Sequence, residues 1–211
     1  MSNEWQKHWE TIYALRQPEE LSWTEERPQT SLDFIHSFNL AKTAKIIDIG
    51  GGDSRLVDCL LEEGFRDITV LDISAKSLER AKKRLGNKAR KVKWVVSGIL
   101  DYDAETTYDL WHDRAAFHFL TAGDQIKQYV DTARRMVAGF LILGTFSQKG
   151  PSRCSGLKVK QYGEAELQDQ LANGFEKIRC ITTNHITPFH TKQNFLFCSF
   201  RKKNPPDTPF F

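Results

Sequence analysis

Three short stretches hold the residues best suited to chemistry. The first is "IIDIGGGDSRL", residues 46–56, an apolar run followed by a glycine-rich turn. Gly50 and Gly52 permit close backbone approach and unusual φ/ψ, so a nucleotide or a group attached to one can lie beside the turn. The second is "VLDIS", residues 70–74. Its Asp72 stands about twenty residues beyond the glycines, where an acid can accept hydrogen bonds from ribose hydroxyls. The third is "YDLWHDRAAFHFL", residues 108–120, where an apolar run meets His112, Asp113 and Arg114 in a row and His118 lies between two phenylalanines. Either that strand stops at the surface and its charges are solvated, or it stops at the floor of a working site.

Two ligand types compete for the glycine turn. The dinucleotide fingerprint G-x-G-x-x-G ends in a glycine that packs helix on strand. Arg55 occupies that third position and fits it badly. Asp48, two residues before Gly50, brings a carboxylate near the ligand. A carboxylate repels a pyrophosphate and attracts an ammonium or sulfonium. S-adenosylmethionine (SAM) carries both cations and no phosphate. In the remaining reading the glycines serve the fold alone.

The elements that must position these residues alternate. "AKIIDIG" is a near-continuous apolar strand, as expected when both faces of a sheet are covered. Helix "SRLVDCLLEEGF", strand "DITVLDIS", helix "SAKSLERAKKRLGN" from Ser74 to Gly86, and strands "VKWVVSG" and "YDLWHD" follow. Helix "TAGDQIKQYVDTARRMV" and strand "GFLILGTF" complete a β-α rhythm that predicts a parallel sheet with helices on both faces. After helix "GEAELQDQLANGF", the runs "EKIRCITTNHIT" and "QNFLFCSFRK" are separated only by "PFHTK". So short a connection predicts an antiparallel hairpin. Upstream, "EWQKHWETIYAL" has helical spacing, "LSWTEERP" is a loop, and "TSLDFIHSF" is a helix capped by Thr30 or Ser31.

Length and composition bound the function. A chain of 211 residues with 40% apolar and 27% charged residues is a globular chain with material for one core. The net charge of +3 does not by itself imply a nucleic-acid partner. The basic run "RAKKRLGNKARKVK" is either a solvated helix end or a patch for a polyanion. Cys59, Cys154, Cys180 and Cys198 are widely spaced and predict neither zinc nor a disulfide framework, so no metal is expected. No run approaches the ~20 apolar residues of a membrane span, and the N-terminus is not a signal peptide. Cytoplasm is the default setting.

With these residues in place, the chain resembles the class I SAM-dependent methyltransferases over residues 40 to 200. "DIGGGDS", the acidic strand end "VLDIS" and the final hairpin carry the resemblance. It implies an α/β, Rossmann-like doubly wound seven-stranded sheet of order 3-2-1-4-5-7-6 with an antiparallel last strand. It implies SAM as cofactor across the carboxyl ends of the first strands, against Asp48, Gly50, Gly52, Asp72, Ile73, Gly98, Ile99 and His112. The family's third strand usually ends in an acid beside the adenine; here "VVSGIL" has none, and Asp101 is the nearest. The segment "HWETIY" followed by "LSW" is similar to the subgroup of elongation-factor lysine methyltransferases. By that resemblance Trp9, Tyr13 and Trp23 cover the cofactor; otherwise Trp5 and Trp9 are a core stripe. One domain is expected: a helical lid over 1–40, a cofactor-binding core over 41–203 and a loose tail over 204–211.

The acceptor side is drawn from Asp113, Arg114, His118, Cys154 and His185. Asp113 and Arg114 stand at the acceptor or pair with each other. His118 is a base, or packs between Phe117 and Phe119. Cys154 lies in the long loop "GTFSQKGPSRCSGLKVKQY", where functional groups concentrate. His185 lies in the final hairpin. There is no N/D-P-P-Y motif of amine-methylating nucleic-acid enzymes, so no nucleic-acid partner is expected, and without a membrane-length apolar run no membrane partner is expected either. The leading expectation is methyl transfer to a small-molecule acceptor, with a protein lysine as the alternative. A nicotinamide oxidoreductase is opposed by Asp48 and Arg55. A SAM-binding protein without catalysis is the rival outside enzymes.

Overall fold

A computed structural model describes residues 2–203. The tail expected to be loose, residues 204–211, lies outside the described residues. The elements run α1 (Ser2–Leu15), α2 (Gln29–His36), β1 (Lys45–Ile49), α3 (Leu56–Glu62), β2 (Asp67–Asp72), α4 (Ala75–Leu85), β3 (Val92–Val96), β4 (Tyr108–Arg114), α5 (Gly123–Met136) and β5 (Val137–Phe146). A short antiparallel pair, β6 (Arg153–Cys154) and β7 (Leu157–Lys158), precedes α6 (Glu164–Leu171), β8 (Phe175–Ile186) and β9 (Lys192–Lys202).

Seven strands form one sheet in the order β3-β2-β1-β4-β5-β9-β8. Counting only these seven, this is the expected 3-2-1-4-5-7-6. The first five are parallel neighbours; β9 runs antiparallel to β5 and to β8. Alternation within each strand feeds two cores. Ile46, Leu110 and Ile142 pack on one face with Leu32, Phe34 and Leu60. Ile47, Trp111 and Leu141 pack on the other with Tyr129, Ala133 and Leu167. This is the period-two consequence of strands covered on both sides.

Local signals set the helix ends. Ser74 caps α4 by accepting from Ser77 N–H, and Gly86 closes it with φ of 55°. For α2 the outcome differs from expectation. The helix starts at Gln29 behind Pro28, and no side chain caps it. The Ser31 hydroxyl is drawn elsewhere.

The cysteine expectation is corrected. Cys180 and Cys198 form a disulfide, because β8 and β9 set them directly opposite with Cα atoms 4.1 Å apart. Their wide sequence spacing carries no sign of that register. Cys59 and Cys154 remain free. Alkylation with iodoacetamide in denaturant is therefore expected to modify two cysteines without reductant and four after reduction, read by intact mass. Four modified without reductant would refute the bridge. No helix among the described residues is long and apolar enough to cross a membrane.

Candidate active site

The carboxyl ends of β1, β2, β3 and β4 open into a cavity of about 1040 Å³. Its floor is the turn after β1. Gly50 has φ of +64°, and a Cβ there would stand 2.8 Å from that of Ala116, a conformation and contact that favour glycine. At Gly51, which sequence reasoning did not single out, a Cβ would lie 2.6 Å from Asp48 Oδ2 and 2.8 Å from Val70. Gly51 lines the cavity, whereas Gly52 lies beneath the Tyr13 hydroxyl and Asp72 Oδ2.

Asp72 ends β2 at the cavity wall. Its Oδ1 accepts from Ser74 N–H at 2.7 Å. Burial pushes its carboxyl up to about 7, against the pull of that hydrogen bond. Tyr13 of α1 lies over the same corner, its phenol raised well above the ordinary value by burial and then by Asp53 and Asp72. Ile73, Gly98 and Ile99 line the adjoining wall. Asp101 lines it too, its carboxylate 3.3 Å from where a Gly98 Cβ would stand, because the turn after β3 folds back through Asp101 N–H to Gly98 O.

The helix α1 closes over the cavity and is latched to α4. Ala75 N–H donates to Glu10 at 2.6 Å, and Arg80 donates to Tyr13 O at 2.6 Å and also to Arg16 O. Its aromatics form a cluster rather than a plain core stripe. Trp9 packs edge-on against Trp23 at 5.7 Å and Phe119 at 5.2 Å between ring centroids, and Tyr13 lies 6.1 Å from Trp23. Trp5, Trp9, Tyr13 and Trp23 all line the cavity.

Parallel register sets Asp48 of β1 opposite His112 of β4. His112 Nδ1 lies 2.7 Å from Asp48 Oδ1, and its Nε2 lies 2.9 Å from the Ser31 hydroxyl on α2. All three side chains are buried and line the cavity.

A second cluster ties the strap between α1 and α2 to the sheet. Arg114 pairs with Glu25 at 3.0 Å and donates to Trp23 O at 3.0 Å; it does not pair with Asp113. His185 meets Glu25 at 2.9 Å and donates to Ser22 O at 2.6 Å. Burial alone would raise the Glu25 carboxyl, but the His185 hydrogen bond and the Arg114 charge outweigh it and hold it low. Glu25 was not singled out by sequence. Its partners are up to 160 residues away and leave no local signal.

Two expected acceptor-side residues do not line the cavity. Asp113 is fully buried behind it. Its Oδ1 accepts from Ala116 N–H at 2.9 Å and Phe117 N–H at 3.1 Å, and its Oδ2 accepts from the Tyr129 hydroxyl at 2.7 Å. It shapes the bend at Ala115, φ 68°, that brings Ala116 over Gly50. His118 lies in a 3₁₀ turn and is also fully buried, between the rings of Phe119 and Phe146. Its Nδ1 accepts from Phe146 N–H, and burial, aided by Arg114, lowers its pKa to about 3. It packs as a neutral imidazole in the core. Cys154 does line the cavity; burial raises its pKa and keeps it a thiol.

Residues 46–139 match the methyltransferase domain family. The chain's sheet has the strand order of the Rossmann-like methyltransferase fold. Among curated proteins, none matches this chain in sequence. Its fold is similar to that of the N-methyltransferase NodS from Bradyrhizobium japonicum WM9, solved with S-adenosyl-L-homocysteine (TM-score 0.71, 15% identity, 96% of this chain and 99% of that one). It is similar also to the 1,6-didemethyltoxoflavin-N1-methyltransferase of Burkholderia thailandensis (0.68, 17%, 97% and 91%). A third similar fold is magnesium protoporphyrin IX methyltransferase from Synechocystis PCC 6803 with bound SAM (0.64, 16%, 93% and 90%).

The residues present fit S-adenosylmethionine. The Gly51 cradle admits no Cβ, the Asp48 and Asp72 carboxylates suit cationic and hydroxyl groups, and aromatic side chains of the lid line the cavity.

Proposed function

We propose that this chain is a SAM-dependent methyltransferase that acts on a small-molecule acceptor held between the cofactor cradle and the strap–hairpin wall. The observation that carries this reading is the cavity itself. Its volume of about 1040 Å³ reaches the top of the range of roughly 300–1,000 Å³ typical of single-ligand pockets, so two reactants can share it. It is walled by α1, by the strap through Trp23 and Glu25, and by the tip of the final hairpin from Asn184 to Pro188. An enclosing wall suits a small acceptor better than an extended protein segment, and the named acceptor of the Burkholderia relative is a small molecule. A protein lysine, in the manner of the elongation-factor enzymes, is the second reading.

In the proposed site the segment up to residue 40 serves as lid over the core. Trp9, Tyr13 and Trp23 cover the cofactor. Asp48, Gly50, Gly52 and His112 shape its amino-acid end, Asp72 and Ile73 its ribose, and Gly98, Ile99 and Asp101 its base. When bound, the cofactor supplies a methyl group on a sulfonium. The chain supplies position: the latched lid excludes water and holds an acceptor in line, the main requirement of a displacement at a methyl carbon. Arg114, Glu25 and His185 hold the strap in place, and Cys154 contributes apolar wall. No catalytic proton transfer is assigned to His118.

Calorimetry is expected to show binding of SAM and S-adenosylhomocysteine and none of NAD. Binding of NAD alone would overturn the reading. Incubation with methyl-tritiated SAM and cell extract is expected to move label into the small-molecule fraction. Label confined to protein would replace the small-molecule acceptor with a protein one.

A further inference from the structure

Ser31, His112 and Asp48 stand in the geometry of a hydroxyl–imidazole–carboxylate relay. The separations are 2.9 Å from Ser31 Oγ to His112 Nε2 and 2.7 Å from His112 Nδ1 to Asp48 Oδ1. The three groups come from α2, β4 and β1, and all border the cavity where an acceptor would enter. Ser31 is the first residue of the relay on the strap side, adjoining Thr30 and Gln29 in the same wall. Two other buried imidazoles are committed elsewhere: His185 to Glu25 and the Ser22 carbonyl, His118 to the core.

We propose that Ser31 is a catalytic residue that takes the acceptor's proton, with His112 and Asp48 as the relay behind it. The inference rests on the methyl-transfer reading above and narrows the acceptor to a neutral oxygen or nitrogen that bears hydrogen. With the Asp48 carboxylate accepting from Nδ1–H, His112 Nε2 accepts from the Ser31 hydroxyl. The oxygen of Ser31 then has lone pairs to offer the acceptor. As the acceptor's X–H proton passes to Oγ, the Oγ–H proton passes to Nε2. The electron pair of the X–H bond forms the bond to the methyl carbon, and the pair of the broken carbon–sulfur bond stays on sulfur. The relay ends as an imidazolium beside the Asp48 carboxylate and later loses its proton to solvent. Tertiary amines and thioethers have no such proton and make no use of the relay.

A hydroxyl activated in this way is a nucleophile toward sulfonyl fluorides, which gives a test without cofactor or acceptor. The apoprotein is treated with phenylmethylsulfonyl fluoride. The Oγ–sulfur bond forms, fluoride leaves, and the proton goes to His112. Peptide mass spectrometry is expected to locate the label on Ser31 in the unaltered protein and nowhere in the 28–42 segment of Ser31→Ala. Removing the base in His112→Gln is expected to slow labelling on the order of 100-fold. Asp48→Asn keeps the shape of the carboxylate and is expected to slow it as well. His36→Gln, altering an exposed imidazole that pairs with Glu63, is expected to label at the original rate. Melting curves establish that each variant is folded. An unlabelled Ser31, or equal labelling in folded His112→Gln and Asp48→Asn, would overturn the relay. Absent binding of SAM and S-adenosylhomocysteine would instead overturn the methyl-transfer reading and leave the labelling result standing.

Discussion

Asp113→Ala is expected to lower the melting temperature by about 6–12 °C and to weaken S-adenosylhomocysteine binding. The carboxylate is fully buried and satisfies two backbone N–H groups and the Tyr129 hydroxyl. Alanine leaves those donors without that acceptor, and each buried orphan costs about 1–3 kcal/mol. A total of about 3 kcal/mol is a shift of about 2–4 °C per kcal/mol in a domain of this size. The binding loss follows from position. Asp113 holds the Ala115–Ala116 bend that covers Gly50, so its loss loosens the cradle without touching the ligand. Calorimetry on the folded variant below its melting point separates the two effects. An unchanged melting temperature would sink the assignment of Asp113 as the pin of this bend.

Asp72 carries the second large effect, and its two consequences have opposite signs. Asp72→Ala is expected to weaken S-adenosylhomocysteine binding by about 1–3 kcal/mol, the value of hydrogen bonds to a buried charged acceptor. Yet the same carboxylate burdens the empty protein. Its folded-state pKa of about 7 lies above the ordinary 3.8 because burial disfavours the charge. Between those values the folded chain binds a proton that the unfolded chain has lost. The group's stabilising contribution is complete below about pH 4 and is lost as pH rises through about 7. Asp113, held near 6 by burial, adds the same sign over a narrower window. The apoprotein is therefore expected to lose stability between about pH 4 and pH 7, read as a falling melting temperature. Asp72→Asn removes the buried charge, so its melt at pH 8 is expected to lie above that of the unaltered apoprotein. A lower melt for Asp72→Asn at pH 8, or unaltered affinity in Asp72→Ala, would refute this account. A site residue that destabilises the empty fold is what a binding carboxylate in a dry wall entails.

Sequence periodicity determined that the sheet is parallel with a final hairpin, and the family resemblance supplied its strand order. Apolar runs near five residues long, separated by amphipathic helices, leave a parallel doubly wound sheet as the way to bury both faces, and the five-residue link "PFHTK" forces the last pair to be antiparallel. Helix ends at Ser74 and Gly86 were legible because capping is local chemistry. The glycine turn and Asp72 were legible for the same reason: each sits at a strand end, and strand ends of such a sheet converge.

The partners of the polar side chains were decided only by the tertiary structure. Ser31 has the sequence signature of a helix cap, yet it bonds an imidazole 81 residues away. Glu25 looks like one more surface acid, yet it holds both Arg114 and His185. Asp113 and Arg114 are neighbours in sequence, but alternation along β4 sends one into the core and the other to the cavity. Cys180 and Cys198 meet because hairpin register sets them opposite. Hydrophobic pattern is written along the chain because burial acts on each residue where it stands. A hydrogen bond or ion pair needs two groups within about 3 Å, and for groups on different elements that distance exists only once the whole sheet, strap and lid have packed.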